Sequence, residues 1–361
     1  MLLFSLFIIS VSLIRPHHNW DMIPYAAAAK SIAIKDPSAL HSYIYTGLRE
    51  YVGEEKYKAL IHGTYRGSVS KDPESLTQQI PFYKTRILYI LLIAVCSAAG
   101  LNVFLSTYLI TALCTCAGLW LIFLSLKNRI NIYLLALLPL IAWSMGLLKL
   151  SAYSTPDGLS FFAACLLIYL ALRGSRLAAL AAPFLILVRT DLILFSVPVL
   201  IFIIVEKKEY LAPASASIIL SVILYALVSK LAGNYGMETV LYNTFVEPVA
   251  YPVSAGASFS FTDYINAIGK GYKNLLFRRT FMIYILMSLG LIAFFLTEKG
   301  KLLMRDLFCR RLFIMMVISF SYFIVHFTLF PLAEKRFFMA MFLVTVSALL
   351  YAVTGAVTRK K

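Results

Sequence analysis

Apolar runs recur along the whole chain, at 1–14, 87–100, 103–126, 131–148, 158–172, 177–188, 192–205, 212–232, 281–297, 312–330 and 337–357. Runs of this kind can sit in hydrocarbon only as helices, because a helix satisfies its own backbone hydrogen bonds there. With 61% hydrophobic residues, 14% charged residues and a mean hydropathy of +0.83, the chain carries more apolar material than a soluble core can bury. It is read as an all-α polytopic membrane protein. No small-residue cleavage site follows Ile14, so 1–14 is read as a retained short first helix and not as a removable signal.

The net charge of +16 is scattered between the apolar runs and covers no single soluble face. It is therefore read as topology information, with no nucleic acid as partner. Lys127, Arg129, Arg173, Arg176, Lys207, Lys208, Lys299, Lys301, Arg305, Arg310 and Arg311, and finally Arg359, Lys360 and Lys361, are assigned to the cytoplasmic side. Segments 15–102, 149–157, 189–191, 233–280 and 331–336 then face the other way. This requires 87–100 to be a juxtamembrane or re-entrant helix, and 177–205 to be two half-depth helices meeting at Arg189-Thr190-Asp191. About ten transmembrane helices (nine to eleven) result, in one membrane domain covering 1–361. Its parts are the first helix 1–14, an external loop 15–102 with juxtamembrane helices, helices two to seven within 103–232, a second loop 233–280, and helices eight to ten within 281–361. Asp36-Pro37-Ser38 and Asp72-Pro73-Glu74 read as turn or helix-start signals in the first loop. The five cysteines lie in or beside apolar runs and form neither a disulfide framework nor a metal-binding pattern.

On this topology Asp21, Asp157, Arg189, Asp191, Glu334, Lys335 and Arg336 gather at one membrane face. Each has a plain alternative: Asp21 and Asp157 could cap the helices that follow them, and Arg189 could snorkel to headgroups. His17 and His18 read first as interfacial bystanders, whereas His326 lies in an apolar helix and should face the protein interior. Trp20, next to Asp21, is either a sugar-stacking ring or an interfacial anchor. Glu238, Glu247 and Tyr251 of the second loop could meet an acceptor.

The succession "NWDMIPY", a long loop ending in "PFYKTRILYILLIAVCSAAG", the basic turn "LIFLSLKNR", "LKLSAYSTPDGLSFFAACLLIYLAL", "LAAPFLILVRTDLILFSVPVLIF" and "AEKRFFMAMF" resembles the GT-C superfamily of integral-membrane glycosyltransferases. Within it, the pattern resembles that of the aminoarabinose transferase and protein O-mannosyltransferase group. The resemblance implies inverting transfer of a sugar from a polyprenyl-phosphate donor to a glycan, glycolipid or protein acceptor on the external side, with the donor's tail in the lipid bilayer. It implies Asp21 as the base that deprotonates the acceptor hydroxyl and Asp157 as a second catalytic acid. Arg189 and Arg336 would hold the lipid phosphate, with Lys84 and Arg86 as further phosphate ligands. Trp20, Asp191, His326 and Glu334 complete the expected substrate site. "TPDG" lacks a second adjacent acid, and no soluble C-terminal domain follows, so the pattern does not assign a protein acceptor. Metal dependence stays open, since donor phosphates could complete the shell of a divalent cation. External segments without an Asn-x-Ser/Thr sequon fit a bacterial inner membrane with the site facing the periplasm. The competing readings are a flippase or transporter for a lipid-linked sugar, a polysaccharide polymerase or ligase, and a non-catalytic assembly subunit.

Overall fold

The computed structural model describes residues 1–233, 235–256 and 258–358; the terminal cations Arg359, Lys360 and Lys361 lie outside the described residues. Regular structure among the described residues is helical, with one isolated bridge between His17 and Tyr153. Five helices are long and apolar enough to cross a membrane: Val103–Leu126, Lys208–Leu231, Arg279–Leu296, Leu307–Leu329 and Lys335–Gly355. The chain is an all-α integral membrane protein.

Local chemistry sets where these helices begin. Asn102 accepts the amides of Phe104 and Leu105 and so starts Val103–Leu126, while Asp306 accepts the Phe308 amide at the head of Leu307–Leu329. Val103–Leu126 packs along Asp157–Leu172, where Gly118 and Gly158 permit close approach: a Cβ at Gly158 would collide with Thr111. The Thr111 hydroxyl donates across this interface to the Thr155 carbonyl at 2.8 Å.

The 177–205 region is a hairpin of two short helices, Leu177–Val188 and Ile193–Glu206, joined by a 3-10 turn at Thr190–Leu192. Its outer ends return to the same level, since Lys207 Nζ donates to the Gly174 carbonyl at 3.3 Å. The tip therefore carries Arg189 and Asp191 into the protein as an interrupted element.

The 131–148 run departs from the expected single helix. It forms Ile132–Ala136, Leu138–Ser144 and Leu147–Ser151, because Pro139 lacks an amide donor and Gly146 takes a left-handed φ of 104°. The broken path still runs the length of the last helix. The Asn131 amide reaches Thr354 at one end, and Tyr153 lies beneath the Arg336 guanidinium at the other.

The first loop folds into short helices. Asp36 and Asp72 each cap one with Pro at its start, as their sequence context indicated. Pro73–Lys84 and Ile87–Ala98 meet at a bend of 118°. Tyr89 of the second helix donates to the Thr107 carbonyl at 3.1 Å, which lays that helix across the opening turns of Val103–Leu126. The second loop docks onto the first: Ser75 and Gln79 donate to the Ala250 carbonyl at 2.7 and 3.0 Å, and Tyr251 donates to Asp72 at 2.7 Å. Tyr251 thus joins two loops, and Glu238 accepts the Phe259 amide within its own loop. Both side chains are thus engaged within and between the two loops.

Candidate functional site

Asp21 and Asp157 come from segments far apart in sequence, and a short extended contact brings them together. The His17 amide donates to the Ala152 carbonyl at 2.9 Å, and the Ser154 amide donates to Asn19 Oδ1 at 3.1 Å. This pins the start of the first loop beside the turn that precedes Asp157–Leu172.

Neither aspartate caps a helix. Asp21 precedes Met22–Lys30, yet its carboxylate makes no bond to the helix amides; Oδ1 accepts the Tyr83 phenol at 3.3 Å. Its other oxygen lies 3.6 Å from Arg336 Nη1, and the same nitrogen lies 3.4 Å from Asp157 Oδ2. One guanidinium therefore bridges the two carboxylates. The Asp21 side chain is 32% exposed and that of Asp157 only 2%, so they have different access to an incoming molecule.

Asp157 is locked from several directions. Thr155 Oγ1 donates to Oδ2 at 2.9 Å and Arg189 Nη1 donates to Oδ1 at 2.8 Å. Arg189 in turn grips Asp191 through Nε and Nη2 at 3.0 and 2.8 Å. Asp191 also accepts Tyr322 at 3.1 Å and lies 2.9 Å from His326 Nε2. A buried guanidinium paired in this way is held in place by the cost of leaving any partner unpaired.

The Arg336 guanidinium lies over the rings of Tyr153 and Phe337, at 5.4 and 5.3 Å. Its Nε is buried without a partner, and its ion-pair distances exceed hydrogen-bond length. The Asn19 amide nitrogen and the Trp20 indole nitrogen are likewise buried without partners. Around the site, burial holds the His17 and His18 imidazoles below their ordinary range. Lys149 and then Arg336 add to the effect at His17, and Lys56 and then His17 at His18. Burial, reinforced by the Asp21 charge, raises the Tyr65 phenol, which donates to Gln79 at 2.8 Å.

Several expected roles change. Arg189 neither snorkels nor has donors free for a phosphate: it is 6% exposed and its Nε, Nη1 and Nη2 all meet carboxylates. Asp191 is paired with it, and His326 faces the interior as expected but ends on Asp191. Asp157, 2% exposed, is enclosed by Thr155, Arg189 and Arg336. Trp20 is 8% exposed and packed 5.2 Å from Tyr65, so it cannot serve as an open stacking platform. Arg86 donates to the Phe82 carbonyl at 2.7 Å, Lys84 forms no ion pair among the described residues, and Glu334 pairs with Arg278 at 3.5 Å, beside the cluster. Tyr83, Tyr153, Thr155, Asn19 and Tyr322 belong to the site and were not singled out. Thr155 has a local signal, two residues before Asp157.

 The chain has 22 tyrosines, and only tertiary contact distinguishes Tyr83, Tyr153 and Tyr322 among them.

No group of three His, Cys, Asp or Glu able to hold a metal ion occurs among the described residues. No protein-family model, curated protein or solved structure matches this chain.

Proposed function

We propose that the chain is a GT-C-type membrane glycosyltransferase that moves a sugar from a polyprenyl-phosphate donor to a cell-envelope glycan or glycolipid, with inversion. The observation that carries this reading is the Asp21–Arg336–Asp157 bridge, in which a partly exposed carboxylate sits beside a cation with an unused donor.

In this reading Asp21 Oδ2 takes the proton of the acceptor hydroxyl as its oxygen attacks the anomeric carbon. The bond from that carbon to the donor phosphate breaks, and the electron pair leaves on the phosphate. Arg336 swings its free Nε and bridging Nη1 toward the phosphate oxygens, where a guanidinium offers permanent charge and paired donors. Asp157 and Arg189 keep Arg336 at the right place. The domain is a single membrane bundle of about ten helices, counting the two halves of the hairpin, with the site facing the periplasm of a bacterial inner membrane.

The test is a transfer assay in membranes that offers a panel of polyprenyl-phosphate sugars and extracted envelope acceptors. Wild type should consume one donor, and Asp21→Asn should slow turnover by about 10²–10⁴-fold with donor binding retained, the range for loss of a general base. Normal turnover by Asp21→Asn, or no donor consumed by wild type, overturns the reading and directs the next assay to lipid translocation.

A further inference from the structure

A cavity of about 810 Å³ opens at the end of the bundle opposite the carboxylate cluster. It lies between the last turns of Val103–Leu126 and Asp157–Leu172 and the first turn of Leu307–Leu329. Arg129, Arg173 and Arg311 line it together with one carboxylate, Asp306, and apolar walls that include Leu124 and Leu307.

The charges of this cavity do not cancel within it. Arg311 is held by Glu206 at 2.8 Å, and Asp306 is engaged by the Phe308 amide at 3.0 Å and by the Tyr351 hydroxyl. Arg129 and Arg173 form no ion pair among the described residues; each lies over an aromatic ring, Phe308 at 5.1 Å and Tyr169 at 4.7 Å. Two exposed guanidiniums thus flank a pocket in which Asp306, the only lining carboxylate among the described residues, is already bonded. Arginine pairs of this kind recognise phosphate oxygens, and basic pockets between membrane helices suit anionic headgroups. The apolar walls favour a ligand that carries a chain over a free anion.

We infer that this cavity binds the phosphate of an anionic phospholipid, with Arg129 and Arg173 on its oxygens and the apolar walls against the upper methylenes of its acyl chains. The inference is independent of the transfer reading, since it uses none of the same residues.

The test measures thermal unfolding of the full chain in neutral detergent with added phosphatidylglycerol, phosphatidylcholine or inorganic phosphate. Phosphatidylglycerol should raise Tm saturably, and the other two should not. Arg129→Gln/Arg173→Gln should weaken the phosphatidylglycerol response on the order of tenfold or more, as expected for lost charge-assisted bonds. Lys299→Gln, a basic-end control outside the cavity, should respond as wild type does. Equal responses to the two lipids, an equal response to inorganic phosphate, or an unchanged response in the double variant overturns the inference. If the double variant does not fold, the single variants Arg129→Gln and Arg173→Gln supply the same comparison.

Discussion

Arg311, at the basic end of the bundle, gives Nε to both oxygens of Glu206 at 2.8 and 2.9 Å and Nη1 to the Leu172 carbonyl at 3.1 Å. Arg336, at the other end, lies 3.4 and 3.6 Å from two carboxylates and keeps Nε without a partner. The Arg311–Glu206 side chains are 9% and 10% exposed, against 21% and 32% for Arg336 and Asp21. The first arrangement closes on itself and ties three helix ends together. The second leaves a partly exposed carboxylate beside a buried guanidinium donor without a partner, unspent capacity that a site for an incoming anion and hydroxyl would use. Similar residue types thus serve as a clamp in one place and as a candidate reaction centre in the other.

That contrast breaks first if the two ends respond alike to substitution. Asp21→Asn is expected to remove about 10²–10⁴ of the transfer rate. It should leave the thermal unfolding midpoint nearly unchanged, because a partly exposed ion pair is worth roughly 0–1 kcal/mol. Arg311→Met should do the reverse, costing about 3–5 kcal/mol by stranding Glu206, with the rate per folded molecule preserved. Chemical denaturation in detergent alongside the transfer assay separates the two outcomes.

Gly174 sharpens the clamp side. Its φ is +60°, and a Cβ there would run into the Arg311 guanidinium. Gly174→Ala is therefore expected to lose about 1–2 kcal/mol from the left-handed backbone alone, again with little effect on rate. An unchanged midpoint would show that the clamp tolerates displacement.

The smallest effect concerns pH. His17 and His18 are held below their ordinary value of 6.5 in the folded chain. As pH falls through that value the unfolded chain takes up protons that the folded chain resists, so stability falls toward acid. Unfolding midpoints measured between pH 7.5 and 5.5 should decline, and His17→Gln/His18→Gln should flatten part of that decline.

Much of the helical layout was legible because its causes are local. Asp36 and Asp72 cap helices that their Asp-Pro context announced, and the polar Arg189-Thr190-Asp191 break marked the hairpin tip. The 131–148 run reads as one helix in the sequence because hydropathy averages over Pro139 and Gly146, which break it in the structure. The gathering of Asp21, Asp157, Arg189 and Arg336 followed from charge and topology, but their division of labour did not. Whether a guanidinium is occupied or free depends on partners supplied by other helices.

The sequence by itself determined that this chain lies in a membrane as helices and that Asp21, Asp157, Arg189, Asp191 and Arg336 collect at one end, since hydropathy and charge act through composition along the chain. Only the tertiary structure decided that Arg336 bridges Asp21 and Asp157 while Arg189 is enclosed by Asp157 and Asp191. Distances of a few ångströms between segments far apart in sequence set which charges are neutralised, and such distances are properties of packing.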